Sequence, residues 1–300
     1  MKEKILGIDI GGTKTAVIVG DEDLNIISRS EFHTNPNKSF ENFLNRLIAE
    51  IRSLVGKDLP QRAGISVGGP LDVEKGILFN PPHLRWGVVN LKKSLNQHFN
   101  FSIVIEHDAK ACALAESLHG AGRGFNNIIF LTLGTGLGAG IIIQRRIYRG
   151  FKNLSGEVGH IKIAETGPVL YGKAGSWESF CSGSGISLYA KYRFPESFSS
   201  DISTEEISRL ALKGHDKANI ILKESGHFFG KGLAILLDIL DPDRIILGNL
   251  AWRLPPIWLE SALETASKEA LIAEKVENRI VLNEFKERIG DYAALMVALE

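Results

Sequence analysis

The sequence predicts an α/β protein of two lobes, each built on the same βββαβα unit. Strands alternate with helices along most of the 300 residues, and the order strand, strand, strand, helix, strand, helix occurs twice. Hydrophobic residues make up 44% of the chain, which is enough for two cores. The 35 Lys and Arg residues balance 35 Asp and Glu, and this zero net charge disfavours a nonspecific nucleic-acid binder.

Several other classes are disfavoured by the hydrophobic pattern and the cysteine count. The longest apolar runs, such as 232–240, fall short of the roughly 18 residues that a membrane span needs. The apolar run after Met1 is too short for the core of a signal peptide. Cys112 and Cys181 form neither a disulfide framework nor a structural zinc set. We therefore expect a cytoplasmic protein with no membrane partner and no nucleic-acid partner.

The elements of the first unit follow from local patterns. Hydrophobic residues between Phe40 and Val55 recur at helical spacing, and Ser39 is placed to be the N-cap. Runs of β-branched residues bounded by Gly, Asp and Asn predict strands. The predicted strands are 4–10, 15–19, 24–28, 63–67 and 102–106, and the predicted helices are 40–55, 91–99 and one that begins at 108–110.

The second unit repeats this order from Asn127 onward. A strand, a glycine-rich turn and another strand are followed, later in the chain, by a long apolar helix. The predicted strands are 128–133, 139–143, 244–247 and 279–282, and the predicted helices are 218–240, 256–271 and a terminal helix from 289.

Each unit begins with a glycine turn between its first two strands, and residues 7–13 match residues 130–136 without a gap. Glycine can reach positive φ and turn backbone N–H groups toward an anion. One such turn is weak evidence, but two at equivalent positions predict a polyphosphate held from both sides. Asp9, at the end of the first strand, is placed to hold Mg²⁺ through water. The alternative is a pair of ordinary β-turns with a surface lysine, Lys14, and the duplication disfavours it.

A second glycine motif has an ordinary explanation. Gly226, Gly230 and Lys231 superficially match a P-loop, but the spacing is one residue short and Gly232 stands where Ser or Thr is required. The motif lies inside the predicted helix 218–240, so helix packing is the favoured interpretation.

Asp108 stands where a predicted strand ends and a helix begins, which is where α/β sheets present ligand-binding groups. One interpretation is that Asp108 is the N-cap of that helix. The other is that it is a general base, which takes a proton from a substrate hydroxyl in phosphoryl transfer. Spacing alone leaves both open.

A third group of polar residues comprises Glu157 and His160, followed by Glu178. Two carboxylates and an imidazole are suited to hydrogen-bonding sugar hydroxyls, each of which is both donor and acceptor. The alternatives are a satisfied loop network and, for His160, a zinc site. Because no cysteine lies close enough in sequence to complete a tetrahedral site, no zinc site is expected.

Together these motifs resemble the ROK family, whose sugar kinases and repressors share an actin-like (hexokinase-like, ribonuclease H-like) ATPase fold. Residues 9–14 resemble the first phosphate motif of the family, and residues 133–140 resemble the second. Residues 150–160 continue the family signature with the expected spacing. The resemblance covers essentially the whole chain.

The resemblance implies a glucokinase-like enzyme that transfers phosphate from ATP·Mg²⁺ to the hydroxymethyl (6-) hydroxyl of a hexose or hexose derivative, with Asp108 as the general base. It implies a homodimer, with ATP bound between a small lobe (1–117 and 289–300) and a large lobe (118–288). The implied sugar ligands are Gly69, His107, Asp108, Glu157, His160 and Glu178. The implied nucleotide ligands are Asp9, Gly11, Gly12, Thr13, Lys14, Gly134, Thr135, Gly136 and Gly248, with Asp9 holding Mg²⁺ through water.

The chain departs from the family pattern at three places. His107 replaces the usual Asn, which implies a different sugar preference. Residues 167–176 lack the cysteines of the family's zinc loop, so Tyr171 and its neighbours are expected to orient His160 by packing. Asn249 follows Gly248 where the family tends to have consecutive glycines, which bears on ATP affinity.

These departures motivate an alternative, a catalytically weak sugar-binding or regulatory ROK protein. A DNA-binding repressor is disfavoured because the first strand begins within five residues of Met1. Glucose, mannose, fructose, N-acetylated hexosamines and β-glucosides are all compatible with the motifs.

Overall fold

Strands and helices alternate along the chain in the computed structural model, which describes residues 2–35, 37–56, 58–81, 84–271 and 276–300. The strands are β1 (Lys4–Ile10), β2 (Lys14–Asp21), β3 (Ile26–His33), β4 (Arg62–Val67), β5 (Leu71–Asp72), β6 (Ile77–Phe79), β7 (Val88–Asn90), β8 (Ser102–His107), β9 (Ile128–Leu133), β10 (Leu137–Ile143), β11 (Arg146–Ile147), β12 (Val169–Leu170), β13 (Lys173–Ala174), β14 (Arg244–Leu247) and β15 (Ile280–Leu282). The α-helices are α1 (Phe40–Val55), α2 (Leu91–Asn96), α3 (Asp108–His119), α4 (Trp177–Cys181), α5 (Gly183–Arg193), α6 (Thr204–Leu212), α7 (Asp216–Leu240), α8 (Pro256–Glu269), α9 (Val276–Arg279) and α10 (Ile289–Val297). Short 3-10 helices cover Val158–His160, Asn249–Trp252 and Lys286–Arg288.

Two five-stranded sheets share one topology. The first has the order β3–β2–β1–β4–β8 and the second the order β11–β10–β9–β14–β15. In each sheet the central strand pairs with an antiparallel hairpin partner on one side and with a parallel strand on the other. A second parallel strand then follows at the edge. The predicted α/β fold with a duplicated unit is confirmed.

By their contacts the residues divide into two compact units. The first comprises 1–120, 146–155 and 287–300, and the second comprises 121–145 and 156–286. Residues 146–155, which the sequence assigned to the large lobe, group with the first unit. The lobe boundaries derived from the sequence stay a prediction.

Helix α1 covers one face of the first sheet as its apolar spacing predicts. Phe43, Leu47 and Ile51 are buried on this face. The Ser39 hydroxyl accepts a hydrogen bond from the Asn42 N–H at 3.3 Å, which confirms Ser39 as the N-cap.

Helix α10 approaches the other side of this sheet through strand positions that lack a side chain. A Cβ on Gly64 of β4 would overlap the backbone of α10, and one on Gly7 of β1 would lie 3.0 Å from the Leu295 nitrogen. Since glycine occupies both positions, α10 packs directly on β1 and β4. This places the first turn of α10 beside the end of β1.

Helices α7 and α8 form the main helical contact of the second unit, and two glycines make it close. A Cβ on Gly226 would overlap the Trp258 carbonyl, and one on Gly230 would overlap the Ala262 carbonyl. The resemblance of this segment to a P-loop is therefore explained by helix packing, as the sequence interpretation favoured.

Strand β3 differs from its predicted position, 24–28, because the preceding turn is longer. The Asp21 carboxylate accepts hydrogen bonds from the N–H groups of Asp23 and Asn25 at 3.0 and 2.9 Å. Leu24 has φ +63° and belongs to this turn. Pairing with β2 then continues to His33.

Helices α4, α5 and α6 and the small hairpin β12–β13 lie in a region where the sequence patterns predict no element. Among the described residues, no helix combines the length and apolarity needed to span a bilayer.

Candidate active site

The carboxyl ends of three neighbouring parallel strands in the first unit carry polar side chains. Asp9 on β1 is in register with Ser66 on β4, and Ser66 is in register with Glu106 on β8. Asp108 directly follows β8. Because parallel strands end at the same edge of the sheet, these groups form one cluster where α/β proteins bind ligands.

Asp9 is a partly buried carboxylate at this edge. The Ser66 hydroxyl donates a hydrogen bond to Asp9 Oδ1 at 2.9 Å. Asp9 Oδ2 lies against Gly290 in the first turn of α10, and a Cβ on Gly290 would overlap this oxygen. Burial raises the pKa of Asp9 to about 7, and the negative charges of Asp108 and Asp291 add to this rise, against the lowering effect of the Ser66 hydrogen bond.

Burial disfavours the ionised Asp9 carboxylate despite the nearby Arg29 guanidinium, and a divalent cation would supply further positive charge. Carboxylate oxygen is the ligand type that Mg²⁺ prefers, and Mg²⁺ commonly keeps several waters. Within the described ranges, no three His, Cys, Asp or Glu side chains are close enough to hold a metal. Asp9 therefore fits a hydrated Mg²⁺ that is held through one carboxylate. The expected absence of a zinc site stays a prediction.

Asp108 is the first residue of α3 and not its N-cap, which is His107. The N-cap interpretation of Asp108 is therefore wrong, because strand β8 runs one residue further than predicted and the helix begins at Asp108 itself. Asp108 Oδ1 accepts a hydrogen bond from the Ala109 N–H at 2.6 Å and lies 3.0 Å from His107 Nδ1. Asp108 Oδ2 faces Gly68, and even a Cβ added to Gly68 would be 3.8 Å from this oxygen. With its side chain 45% exposed, Asp108 thus presents one oxygen to a ligand while the other is held.

His107 and Gly69 lie against each other beside Asp108. A Cβ on Gly69 would be 2.9 Å from His107 Cδ2 and 3.4 Å from its Nε2, so the larger imidazole fits here because residue 69 has no side chain. Because Nδ1 lies against Asp108, Nε2 is the ring nitrogen of His107 left for a hydrogen bond with a ligand.

The first glycine turn connects β1 to β2. The Gly11 N–H donates to the Lys14 carbonyl at 2.9 Å, and the Gly11 carbonyl accepts from the Thr34 hydroxyl at 2.7 Å. Thr13 is exposed, and the Lys14 ammonium forms an ion pair with Glu31 at 2.7 Å. In a trans peptide the C=O of one residue and the N–H of the next point in opposite directions. Since the Thr34 hydroxyl binds the Gly11 carbonyl, the Gly12 N–H points away from Thr34.

The second turn, between β9 and β10, is fixed by the N-terminus of α5. The Gly134 carbonyl accepts from the Gly183 N–H at 2.8 Å, and the Thr135 carbonyl accepts from the N–H and hydroxyl of Ser184 at 3.2 and 2.6 Å. By the same peptide geometry, the N–H groups of Thr135 and Gly136 point away from α5. Both turns therefore have backbone N–H groups that point away from the groups that bind the turn carbonyls.

Gly11 and Gly136 are needed for space and not for positive φ, contrary to the sequence argument. Gly11 and Gly136 are not among the residues with positive φ. A Cβ would lie 3.0 Å from the Lys14 carbonyl at Gly11 and 2.9 Å from Glu178 Oε2 at Gly136.

Glu178 is buried on α4 and is connected to the second turn. Its Oε2 accepts a hydrogen bond from the Leu137 N–H at 2.8 Å, directly after the turn. Gly159 also leaves room for this carboxylate, since a Cβ there would lie 3.0 Å from Oε2. Glu178 thus links the turn to the segment that carries Glu157 and His160.

His160 and Glu157 are exposed at the two sides of the 3-10 helix Val158–His160. The Tyr171 ring stacks on His160, with ring centroids 5.6 Å apart and an interplanar angle of 18°. Burial and the neighbouring Glu178 carboxylate raise the pKa of Tyr171. Tyr171 and Gly172 have φ of +51° and +73°, which a two-residue turn between β12 and β13 requires. Packing of Tyr171 against His160 agrees with the expectation from the sequence.

Gly248 follows β14 and is buried. Its N–H donates to the Leu131 carbonyl at 2.9 Å, and a Cβ would lie 2.8 Å from the Phe130 ring. The adjacent Asn249 has a buried side-chain oxygen with no hydrogen-bond partner within the described part of the chain. This orphaned acceptor could receive a donor from a bound group.

Three contributors to the site were missed from the sequence. Ser66 holds Asp9, Arg149 donates to Glu106, and the buried Lys110 contacts Asn153. The only local signal was Lys110, a charged residue at a position of the helix pattern that is otherwise apolar.

Comparison with known proteins finds glucokinases and a xylose repressor that are similar to this chain. A glucokinase of Streptomyces coelicolor is 31% identical over 259 residues, covering 81% of this chain and 81% of its own. A xylose repressor of Caldicellulosiruptor bescii is 29% identical over 300 residues, covering 95% of this chain and 75% of the repressor. The crystal structure of a ROK family glucokinase from Streptomyces griseus in complex with glucose and AMPPNP is 29% identical, with a TM-score of 0.83 and 99% of each chain covered.

The structural similarity extends the confirmed α/β topology to the actin-like ATPase fold of the ROK kinases. The ROK family pattern itself matches residues 5–298, which is nearly the entire sequence. This protein is therefore a member of the ROK family.

Proposed function

We propose that this protein is an ATP-dependent sugar kinase that phosphorylates the hydroxymethyl (6-) hydroxyl of a hexose or hexose derivative. The observation that carries the proposal is the arrangement of Asp108. One of its oxygens is held by the Ala109 N–H and His107, and the other faces the glycine at position 68. The glucokinase relatives support the reaction class.

In the proposed reaction Asp108 Oδ2 accepts the proton of the sugar hydroxyl. The hydroxyl oxygen forms a bond to the γ-phosphorus of ATP as the bond to the β–γ bridging oxygen breaks, and ADP leaves. The hydrogen bonds on Oδ1 orient the carboxylate, so that the second oxygen is available to the substrate.

ATP is proposed to bind the backbone N–H groups of the two glycine turns, at Gly11–Lys14 and Gly134–Gly136, with Gly248 also near the nucleotide. The turns support this role because their carbonyls are tied to Thr34 and to the start of α5. Mg²⁺ bound with ATP would neutralise charge on the phosphates, and Asp9 would hold it through water.

The sugar is proposed to be held by hydrogen bonds from the polar groups that the family resemblance names. Buried or stacked groups are good specificity determinants, because an analogue that lacks a hydroxyl leaves them unpaired. His107 Nε2 would form a hydrogen bond with a sugar hydroxyl, which can both donate and accept. The proposed ligands are Gly69, His107, Asp108, Glu157, His160 and Glu178.

The experiment is a coupled ADP-release assay with ATP·Mg²⁺ against a panel of hexoses. Asp108→Asn keeps the shape and the hydrogen bond to Ala109 but removes the base. We expect turnover on the best sugar to fall by about 10²–10⁴-fold with an unchanged circular dichroism spectrum. Full activity of Asp108→Asn would contradict the assigned role.

A second candidate function is a sugar-binding or regulatory protein with weak catalysis. The similarity to a xylose repressor and the replacement of Asn by His107 favour it. Calorimetric binding of a sugar, with no turnover of any sugar in the panel, would support this candidate over the kinase.

A cytoplasmic homodimer is also proposed, from the family resemblance, and light scattering of the purified protein tests the dimer.

A further inference from the structure

Residues 146–155, here named the strap, contact the chain on both sides of Asp108. Glu106 lies two residues before Asp108 and Lys110 two residues after it, and each is bonded to the strap. The strap is 43 residues further along the sequence at both contacts. Two independent anchors therefore flank the proposed base.

The first anchor joins Arg149 to Glu106. Arg149 Nε and Nη2 both donate to Glu106 Oε2, at 3.0 and 2.6 Å. The other oxygen, Oε1, accepts the His107 N–H at 2.8 Å. Because the Glu106 side chain is only 4% exposed, its charge needs a partner, and Arg149 provides it. Arg149 thereby fixes the backbone that enters Asp108.

The second anchor joins Lys110 to Asn153. Lys110 is 1% exposed, and its ammonium donates to the Asn153 backbone carbonyl at 2.7 Å and to its side-chain oxygen at 3.0 Å. Asn153 has φ +58°, and its amide donates to the Leu71 carbonyl at 3.4 Å. A buried ammonium with two oxygen acceptors holds the first turn of α3 in one position.

We propose that Arg149 and Lys110 are positioning residues that hold Asp108 in its reactive placement through the strap. This inference rests on the proposed kinase function. Arg149 binds the residue two positions before Asp108, and Lys110 joins the position two residues after it to the strap, so the short segment that carries Asp108 is held at both ends. Such restraint matters because a displacement of about 1 Å at a reacting group costs about 10²-fold in rate.

The test compares Arg149→Gln and Arg149→Lys with a matched control, Arg62→Gln. Arg62 also donates two hydrogen bonds to a carboxylate of the same unit, that of the more exposed Glu3, but it lies at the start of β4. We expect Arg149→Gln to lower kcat by about 10–100-fold. KM for sugar and ATP should change by less than about threefold. Arg149→Lys keeps one charged donor and should recover part of the loss, whereas the control should match the wild type.

A double-mutant cycle separates positioning of the base from a general structural effect. If Arg149 acts through Asp108, adding Arg149→Gln to Asp108→Asn should lower kcat no further. An equal loss in both backgrounds would overturn the proposal. For the second anchor, Asn153→Gly tolerates the φ of +58°, removes the side-chain acceptor of Lys110 together with the bond to Leu71, and leaves the ammonium in place. It should show the same loss of additivity with Asp108→Asn.

Amide hydrogen exchange gives a readout that does not depend on kinase activity. In Arg149→Gln, the His107 and Ala109 amides should exchange faster than in the wild type, and those of α1 should not change. Unchanged protection at both amides would overturn the inference. If the wild type phosphorylates no sugar, the proposed function fails, and the exchange result still decides whether the strap positions residue 108.

Discussion

Replacing Asp9 with asparagine is expected to stabilise the metal-free protein at neutral pH. Asparagine keeps the size of the side chain, can accept the Ser66 hydrogen bond and fits beside Gly290. It removes a carboxylate whose ionisation burial disfavours, since the pKa of Asp9 is raised from 3.8 to about 7. The stability gain should therefore depend on pH.

The sign and size follow from proton linkage. Between about pH 4 and pH 7 the folded protein binds a proton at Asp9 that the unfolded chain has lost, so the wild-type free energy of unfolding falls as pH rises through this window. The full shift corresponds to about 4 kcal/mol. Because the carboxylate is partly exposed, solvent screening reduces the expected difference to about 1–3 kcal/mol above pH 7.

Urea unfolding of both proteins between about pH 5 and pH 8, with a chelator present, measures this difference. The gap between Asp9→Asn and the wild type should widen with pH and become constant above about pH 7. Asp58→Asn, at an exposed ion pair with Lys4, is the control and should show no such widening. A gap that does not change with pH would refute the reasoning. Added Mg²⁺ and ATP should stabilise the wild type more than Asp9→Asn at pH 8.

Three further substitutions test other parts of the structure. Tyr171→Leu removes the stack on His160 and should raise the sugar KM by about 3–10-fold in steady-state assays, while Tyr171→Phe should keep most of the affinity. Gly136→Ala introduces a Cβ 2.9 Å from Glu178 Oε2, so sugar binding measured by calorimetry should weaken, and unchanged affinity would contradict the assigned contact. Gly226→Ala adds a good helix former but overlaps α8, so urea unfolding should show a loss of about 1–3 kcal/mol. A gain in stability would argue against the packing.

Elements whose determinants are local were predicted well from the sequence. Helix α1 has its predicted bounds, Phe40–Val55, because its apolar spacing and its cap at Ser39 are contained in one segment. Strand β1 also begins and ends as predicted. Strand β3 was misplaced because Leu24, although apolar, adopts a positive φ that the Asp21 carboxylate stabilises through hydrogen bonds. Apolar character alone does not distinguish a strand residue from a turn residue.

The candidate site could be predicted as a set of residues but not as a set of contacts. Glu178 was identified by its residue type and by family resemblance. Its bond to the Leu137 N–H, 41 residues away, depends on tertiary packing that no local pattern encodes. The same holds for Lys110 and Asn153, 43 residues apart. The reason for glycine at position 136 likewise became visible only once the neighbouring carboxylate was placed.

The two units have kept one topology while their turns have diverged in chemistry. Ile10 pairs with Thr15 across the first turn, and Leu133 pairs with Leu137 across the second, so the second turn is one residue shorter. In the ungapped match of the two segments, Asp9 corresponds to Thr132, which carries no charge. A carboxylate therefore occurs at this position in the first unit alone. If each turn contacts phosphate, backbone hydrogen bonding should involve both turns, whereas cation binding should depend on the first turn alone. Asp9→Asn should therefore weaken Mg²⁺ binding without disturbing the second turn.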